Sequence, residues 1–102
     1  MEVNIIENES VITVELKGRM DTAASQEVSG KILPLQEKAE NTIVMDCSQL
    51  SYISSSGLRL FLALRKSAAV TGGKVVVRNI NDDIRTVFMM TGFLNLFQIE
   101  TA

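Results

Sequence analysis

The 102-residue chain contains no His and no Trp, one Cys, one Pro and few aromatic residues. Each shortage removes a class of function. Without His the commonest general base and metal ligand is missing. A lone thiol, Cys47, forms neither a thiolate cluster nor an internal disulfide, which is compatible with a reducing compartment. No apolar run approaches the roughly 20 residues that cross a bilayer. Residues 1–6 carry Glu2 and lack a basic n-region, so no signal peptide is expected. A soluble cytoplasmic protein without membrane insertion follows. The basic residues are scattered and the formal net charge is −2, which offers no footprint for nucleic acid. No metal and no cofactor is expected, and catalysis by the chain itself is disfavoured.

What is present is apolar and evenly spread. The apolar fraction is 46%, enough to build a core without staples, and the length suits one domain over residues 1–102. Residues 3–6 and 11–16 read as two strands around a polar turn, since Ile12, Val14 and Leu16 alternate with Thr13, Glu15 and Lys17. Gly18-Arg19-Met20-Asp21 then leads into a helix that Asp21 is placed to cap. Its apolar face runs Ala24, Val28, Ile32, Leu35 and Ala39. Pro34 interrupts that face, and a mid-helix proline costs about 3 kcal/mol, which predicts a kink or break just before it.

Thr42-Ile43-Val44-Met45 reads as a buried central strand that ends at Asp46, followed by a polar, serine-rich loop. The spacing predicts a second helix over 57–71, with Leu58, Phe61, Leu62, Arg65 and Ala69 on one stripe, widened by Leu60 and Leu64. Gly72-Gly73 ends it. Lys74 to Arg78 forms another strand, Asn81 or Asp82 caps a third helix carrying Ile84, Val87, Phe88 and Thr91, and Gly92 stops that helix. Residues 96–100 supply a last short strand. The order β-β-α-β-α-β-α-β calls for an α/β fold, a mixed sheet covered by helices.

The stretch from Asp46 to Leu58, with the three serines Ser54-Ser55-Ser56 before Gly57, joins the carboxyl end of the central strand to the second helix. Partners and ligands of open α/β sheets gather at that edge. The free N–H groups and dipole of a helix N-terminus stabilise a phosphate placed there. Simple N-capping also accounts for a serine here, but capping needs only one. A hydrolase nucleophile fits poorly, because Gly-x-Ser-x-Gly and the activating His are both absent. Asp46 reads as an acceptor that orders its loop, Cys47 as a small apolar filler. Met89, Met90, Phe93, Leu94 and Phe97 offer either an adaptable apolar surface or, for most of them, core packing, and Arg59 and Arg65 read as charges on the helix surface.

Four landmarks in this order resemble the STAS domains of bacterial anti-sigma factor antagonists. They are Gly18-Arg19-Met20-Asp21, Ile43-Val44-Met45-Asp46-Cys47-Ser48, Ser55-Ser56-Gly57-Leu58-Arg59 and Met90-Thr91-Gly92-Phe93, and the resemblance spans residues 11–99. It implies a single STAS-type domain, with a reduced C-terminal helix because many relatives continue beyond the position of Ala102. The family pattern of Asp, phosphorylatable Ser, Ser or Thr, then Gly places the phosphoacceptor at Ser55, with Ser56 and Ser54 as the alternatives. Here Ser54 stands where the family has Asp, which removes a charge from the loop. The implied partner-binding surface comprises Asp21, Ser54, Ser55, Ser56, Gly57, Leu58 and Arg59.

The implied function is a switch. The unphosphorylated form binds an anti-sigma factor, which releases its sigma factor, and phosphorylation ends the binding. The anti-sigma factor in this family is often also the serine kinase, and a serine phosphatase reverses the modification. A free monomer is the default expectation. STAS domains similar to this one also serve as non-phosphorylated adaptor subunits of lipid-transport ABC systems, and that is the alternative.

Overall fold

The computed structural model describes residues 1–36 and 42–101. Five strands and three helices alternate along the chain: β1 (Glu2–Asn8), β2 (Val11–Met20), α1 (Thr22–Gln36), β3 (Thr42–Ile53), α2 (Ser55–Thr71), β4 (Lys74–Arg78), α3 (Asp82–Thr91) and β5 (Gln98–Glu100). A 3-10 turn, Phe93–Asn95, precedes β5. The strands form one sheet in the order β1-β2-β3-β4-β5. β1 and β2 are an antiparallel hairpin, and every later pair is parallel. The element order and the α/β class are those expected from the sequence, and no helix follows β5 among the described residues.

The register explains where the core lies. Val14, Met45, Val77 and Ile99 align across the four parallel strands, and so do Ile12, Ile43 and Val75. These residues join Val28 and Ile32 of α1, Phe61 and Leu64 of α2, and Ile84 and Phe88 of α3 in one apolar cluster. All three helices therefore cover the same face, as right-handed crossovers between neighbouring parallel strands require. Val44 and Val76, one residue out of phase, are buried but stand outside that cluster. Phe61, Phe88, Phe93 and Phe97 interlock near the β5 edge at ring separations of 5.6–6.4 Å. Phe93 and Phe97 are thus core, whereas Met89 and Met90 are exposed and not the packing residues expected.

Several boundaries differ from the sequence reading, each for a local reason. The hairpin turn tightens to Glu9 and Ser10, because Asn8 still pairs with Val11. α1 continues through Pro34 to Gln36, so the expected break does not occur. Proline holds φ at a helical value, and its cost is the lost N–H bond and the crowding of its ring against the carbonyl four residues back. Here the i−4 residue left without that donor, Gly30, is exposed to water. Ala24, Val28 and Ile32 are buried as expected. The side chain of Leu35, and Ala39, lie outside the described residues.

β3 does not stop at Asp46 but runs to Ile53, so the expected serine-rich loop shrinks to Ser54. Two bulges in the pairing with β2 make this extension possible. Glu15 to Lys17 spans Asp46 to Gln49, and Gly18 to Arg19 spans Leu50 to Tyr52, so β3 carries an extra residue at each step. Gly18 at φ 104° allows β2 to follow the second irregularity. α2 buries Gly57, Leu58, Leu60, Phe61, Leu64 and Ala68. Ala69, expected on its apolar stripe, is exposed instead, while Arg65 lies on the helix surface as expected. Left-handed Gly72 and Gly92 end α2 and α3 as expected, at φ 84° and 80°.

Candidate functional site

Two helix N-termini meet at the carboxyl edge of β2 and β3. Asp21 follows β2 and caps α1, accepting at Oδ1 from the Ala24 N–H at 2.8 Å. Ser54 follows β3 and caps α2, accepting at Oγ from the Gly57 N–H at 3.2 Å. The Ser54 N–H donates to the Met20 carbonyl at 2.8 Å, which fastens the start of α2 to the end of β2. Ser25 joins the two caps. Its hydroxyl donates to the Asp21 carbonyl at 2.7 Å and lies 3.4 Å from the Ser54 hydroxyl. Ser25 and Ser54 are the buried polar residues of the described chain. A buried hydroxyl left without partners is costly, and this chain of bonds satisfies both.

The three serines therefore have different environments. Ser54 is buried and engaged, Ser55 is exposed on the first turn of α2, and Ser56 is half-buried. The first turn of α2 holds no acidic residue, whereas that of α3 holds Asp82 and Asp83. No acidic residue of its own first turn thus offsets the positive end of the α2 dipole beside the Ser55 hydroxyl.

Asp21, Ser55 and Arg59 are exposed at this edge. Gly57 and Leu58, expected on the partner-binding surface, face inward instead. They occupy the inner side of the first turn, and a Cβ on Gly57 would sit 2.8 Å from Ile53 Cγ1 and 3.1 Å from Met20 Sδ. A groove between α1 and α2 opens beside the serines, lined by Ser25, Gln26 and Ser29 from one helix and Ser56, Arg59 and Leu60 from the other.

Further residues frame the edge. Asn81 caps α3 through Oδ1 and donates from Nδ2 to the Leu50 carbonyl at 2.9 Å, so the third helix also starts against β3. Arg19 lies over the Tyr52 ring, with Cζ 4.3 Å from its centroid. The sequence reading missed this pair, because only the bulged register sets Arg19 opposite Tyr52. Asp46 orders backbone as expected, accepting from the Ser48 N–H at 3.0 Å, though within a strand. Cys47 is fully buried, and burial, with Asp46 beside it, pushes its thiol up to about 12. Arg65 is exposed and ties α2 to the chain before β5 through the Leu96 carbonyl at 2.8 Å. No group of three or more His, Cys, Asp and Glu residues suited to a metal ion occurs among the described residues.

Fold and junction together define a small α/β domain that presents a free hydroxyl at a helix N-terminus beside the carboxyl edge of a parallel sheet. The chain belongs to the STAS domain family, whose model matches residues 2–102. It is similar to BtrV of Bordetella bronchiseptica, at 27% identity over 102 residues, covering 100% of this chain and 88% of that protein. It is also similar to the anti-sigma-B factor antagonist of Bacillus subtilis, at 25% identity, covering 98% of this chain and 91% of that protein. Among solved structures, the Bacillus cell fate determinant SpoIIAA in its phosphorylated form shares the fold with a TM-score of 0.79 at 21% identity, covering 99% of this chain and 91% of that one.

Proposed function

We propose that this chain is an anti-sigma factor antagonist whose binding is switched off by phosphorylation of Ser55. The observation that carries the reading is the contrast among the three serines. Ser55 is the exposed one, at a helix N-terminus without acidic residues, while Ser54 is buried and Ser56 half-buried. The family, and the naming of the Bacillus subtilis relative as an anti-sigma-B factor antagonist, support the choice of partner.

Unphosphorylated, the edge formed by Asp21, Ser55, Ser56 and Arg59 docks on the anti-sigma factor, which releases its sigma factor. Phosphorylation by that factor or another serine kinase adds about −1.5 to −2 charges in the middle of the contact. Desolvating that charge without a matching cation ends the binding, and a serine phosphatase restores it. The chain acts in the cytoplasm by binding alone and catalyses nothing.

Incubation with the cognate kinase and ATP, followed by mass spectrometric localisation, tests the assignment. A single phosphate on Ser55 is expected, and none on Ser55→Ala. A phosphate on Ser56 alone moves the residue and keeps the mechanism. No phosphate from a kinase that demonstrably binds this protein overturns the switch.

A further inference from the structure

Resting on the assignment of Ser55, we propose that Arg59 is the built-in counter-ion of the phosphorylated serine. Ser55 is the first residue of α2 and Arg59 follows four positions later. Residues so spaced are neighbours on one helix face, about 5–6 Å apart at Cβ. Helical side chains also lean toward the N-terminus, so a long side chain at 59 covers the turn that carries residue 55. Both residues are exposed, and neither has to leave the core for the pair to form.

Nothing else on the described surface claims this guanidinium. The ion pairs among the described residues join Lys17 to Glu2 at 3.4 Å and Arg78 to Glu100 at 3.2 Å, and neither involves Arg59. The groove that Arg59 lines offers hydroxyls and an amide, from Ser25, Gln26, Ser29 and Ser56, but no carboxylate. Nor does the first turn of α2 hold an acid that would compete with a phosphate. A cation without a partner among the described residues, lining a groove free of carboxylates one turn from the acceptor hydroxyl, matches the fork geometry by which guanidinium holds a phosphate.

The pairing changes what phosphorylation does to the docking edge. A free phosphoserine only adds an anion. A phosphoserine clamped by Arg59 also withdraws the exposed cation, so the partner loses an attractive group and meets a repulsive one in a single step.

Phosphoserine installed at position 55 during synthesis tests the clamp without any kinase. The readout is the second ionisation of the phosphate, followed by 31P NMR against pH, ordinarily near pH 6. A nearby cation favours the dianion and lowers that value. The parent phosphoprotein is expected to titrate about half a pH unit below the Arg59→Gln phosphoprotein, with Arg59→Lys between them. The difference should shrink in 1 M salt. Arg59 is exposed, so the glutamine variant folds as the parent does. Superimposable titrations of parent and Arg59→Gln overturn the clamp. Failure of the switch is seen separately, as undiminished binding of the phosphorylated parent to the anti-sigma factor.

Discussion

At the scale of single residues, the buried thiol is the sharpest case of environment setting chemistry. Cys47 is wholly enclosed, and its thiol is pushed from 9.0 to about 12, first by burial and then by the Asp46 charge. The native state therefore keeps a proton that the unfolded chain gives up near pH 9. The resulting stabilisation is fully present below about pH 9 and is lost as pH rises toward 12. Between those limits the parent should lose stability faster than Cys47→Ala, by up to about 1.4 kcal/mol per pH unit. Urea denaturation at pH 8, 9.5 and 10.5 checks this, and equal slopes refute it. Native Cys47 should also resist alkylation at pH 8, because the thiolate is the reactive form.

At the scale of elements, the fit of α2 on the end of β3 depends on a missing side chain. Alanine at position 57 would improve helix propensity by about 1 kcal/mol. Its Cβ would also press into Ile53 Cγ1 at 2.8 Å and against Met20, both buried. Overpacking of that kind costs about 1–3 kcal/mol, so the steric term wins. Gly57→Ala is expected to be destabilised by about 1 kcal/mol net, read from the urea midpoint at constant slope. A variant as stable as the parent would mean that Ile53 moves freely. The same junction shows where the sequence was legible and where it was not. Alternation revealed β2, and capping residues with glycine stops revealed α2 and α3, because those signals are local. The second half of β3 was hidden because its buried residues, Cys47, Leu50 and Ile53, recur every third position, a spacing that two bulges impose. Only the partner strand determines those bulges. The stripe of α2 was likewise placed one residue out of phase, since leucines at 58, 60, 62 and 64 leave its centre undetermined. The resemblance pointed to Ser55, but the buried Ser25–Ser54 link that distinguishes Ser54 from it was not legible, because it depends on two helices meeting.

At the scale of the molecule, the parallel arrangement divides the surface into two ends. The helices run back against β3 and β4, so the N-termini of α1, α2 and α3 gather at the carboxyl edge. The exposed apolar residues Val70, Met89 and Met90 sit at the other ends of α2 and α3. A charge introduced at Ser55 therefore acts at one end, on a helix terminus that already favours an anion. Ser55→Asp should keep the fold and melt within a few degrees of the parent. If the serine edge is the proposed docking surface, it should bind with little backbone change, so that the added charge acts on the contact itself. The same variant should bind the anti-sigma factor at least about tenfold more weakly, a loss of about 1.4 kcal/mol. The effect stays below that of a phosphate, whose charge is larger. Met90→Lys supplies the spatial control, because Met90 is 82% exposed and lies at the far end of α3. Titration calorimetry of parent, Ser55→Asp, Ser55→Ala and Met90→Lys against one anti-sigma factor separates the ends. Loss of affinity in Ser55→Asp, with Ser55→Ala and Met90→Lys unchanged, is the expected pattern. Full binding by Ser55→Asp, or loss in Met90→Lys alone, would move the docking surface away from the serine edge.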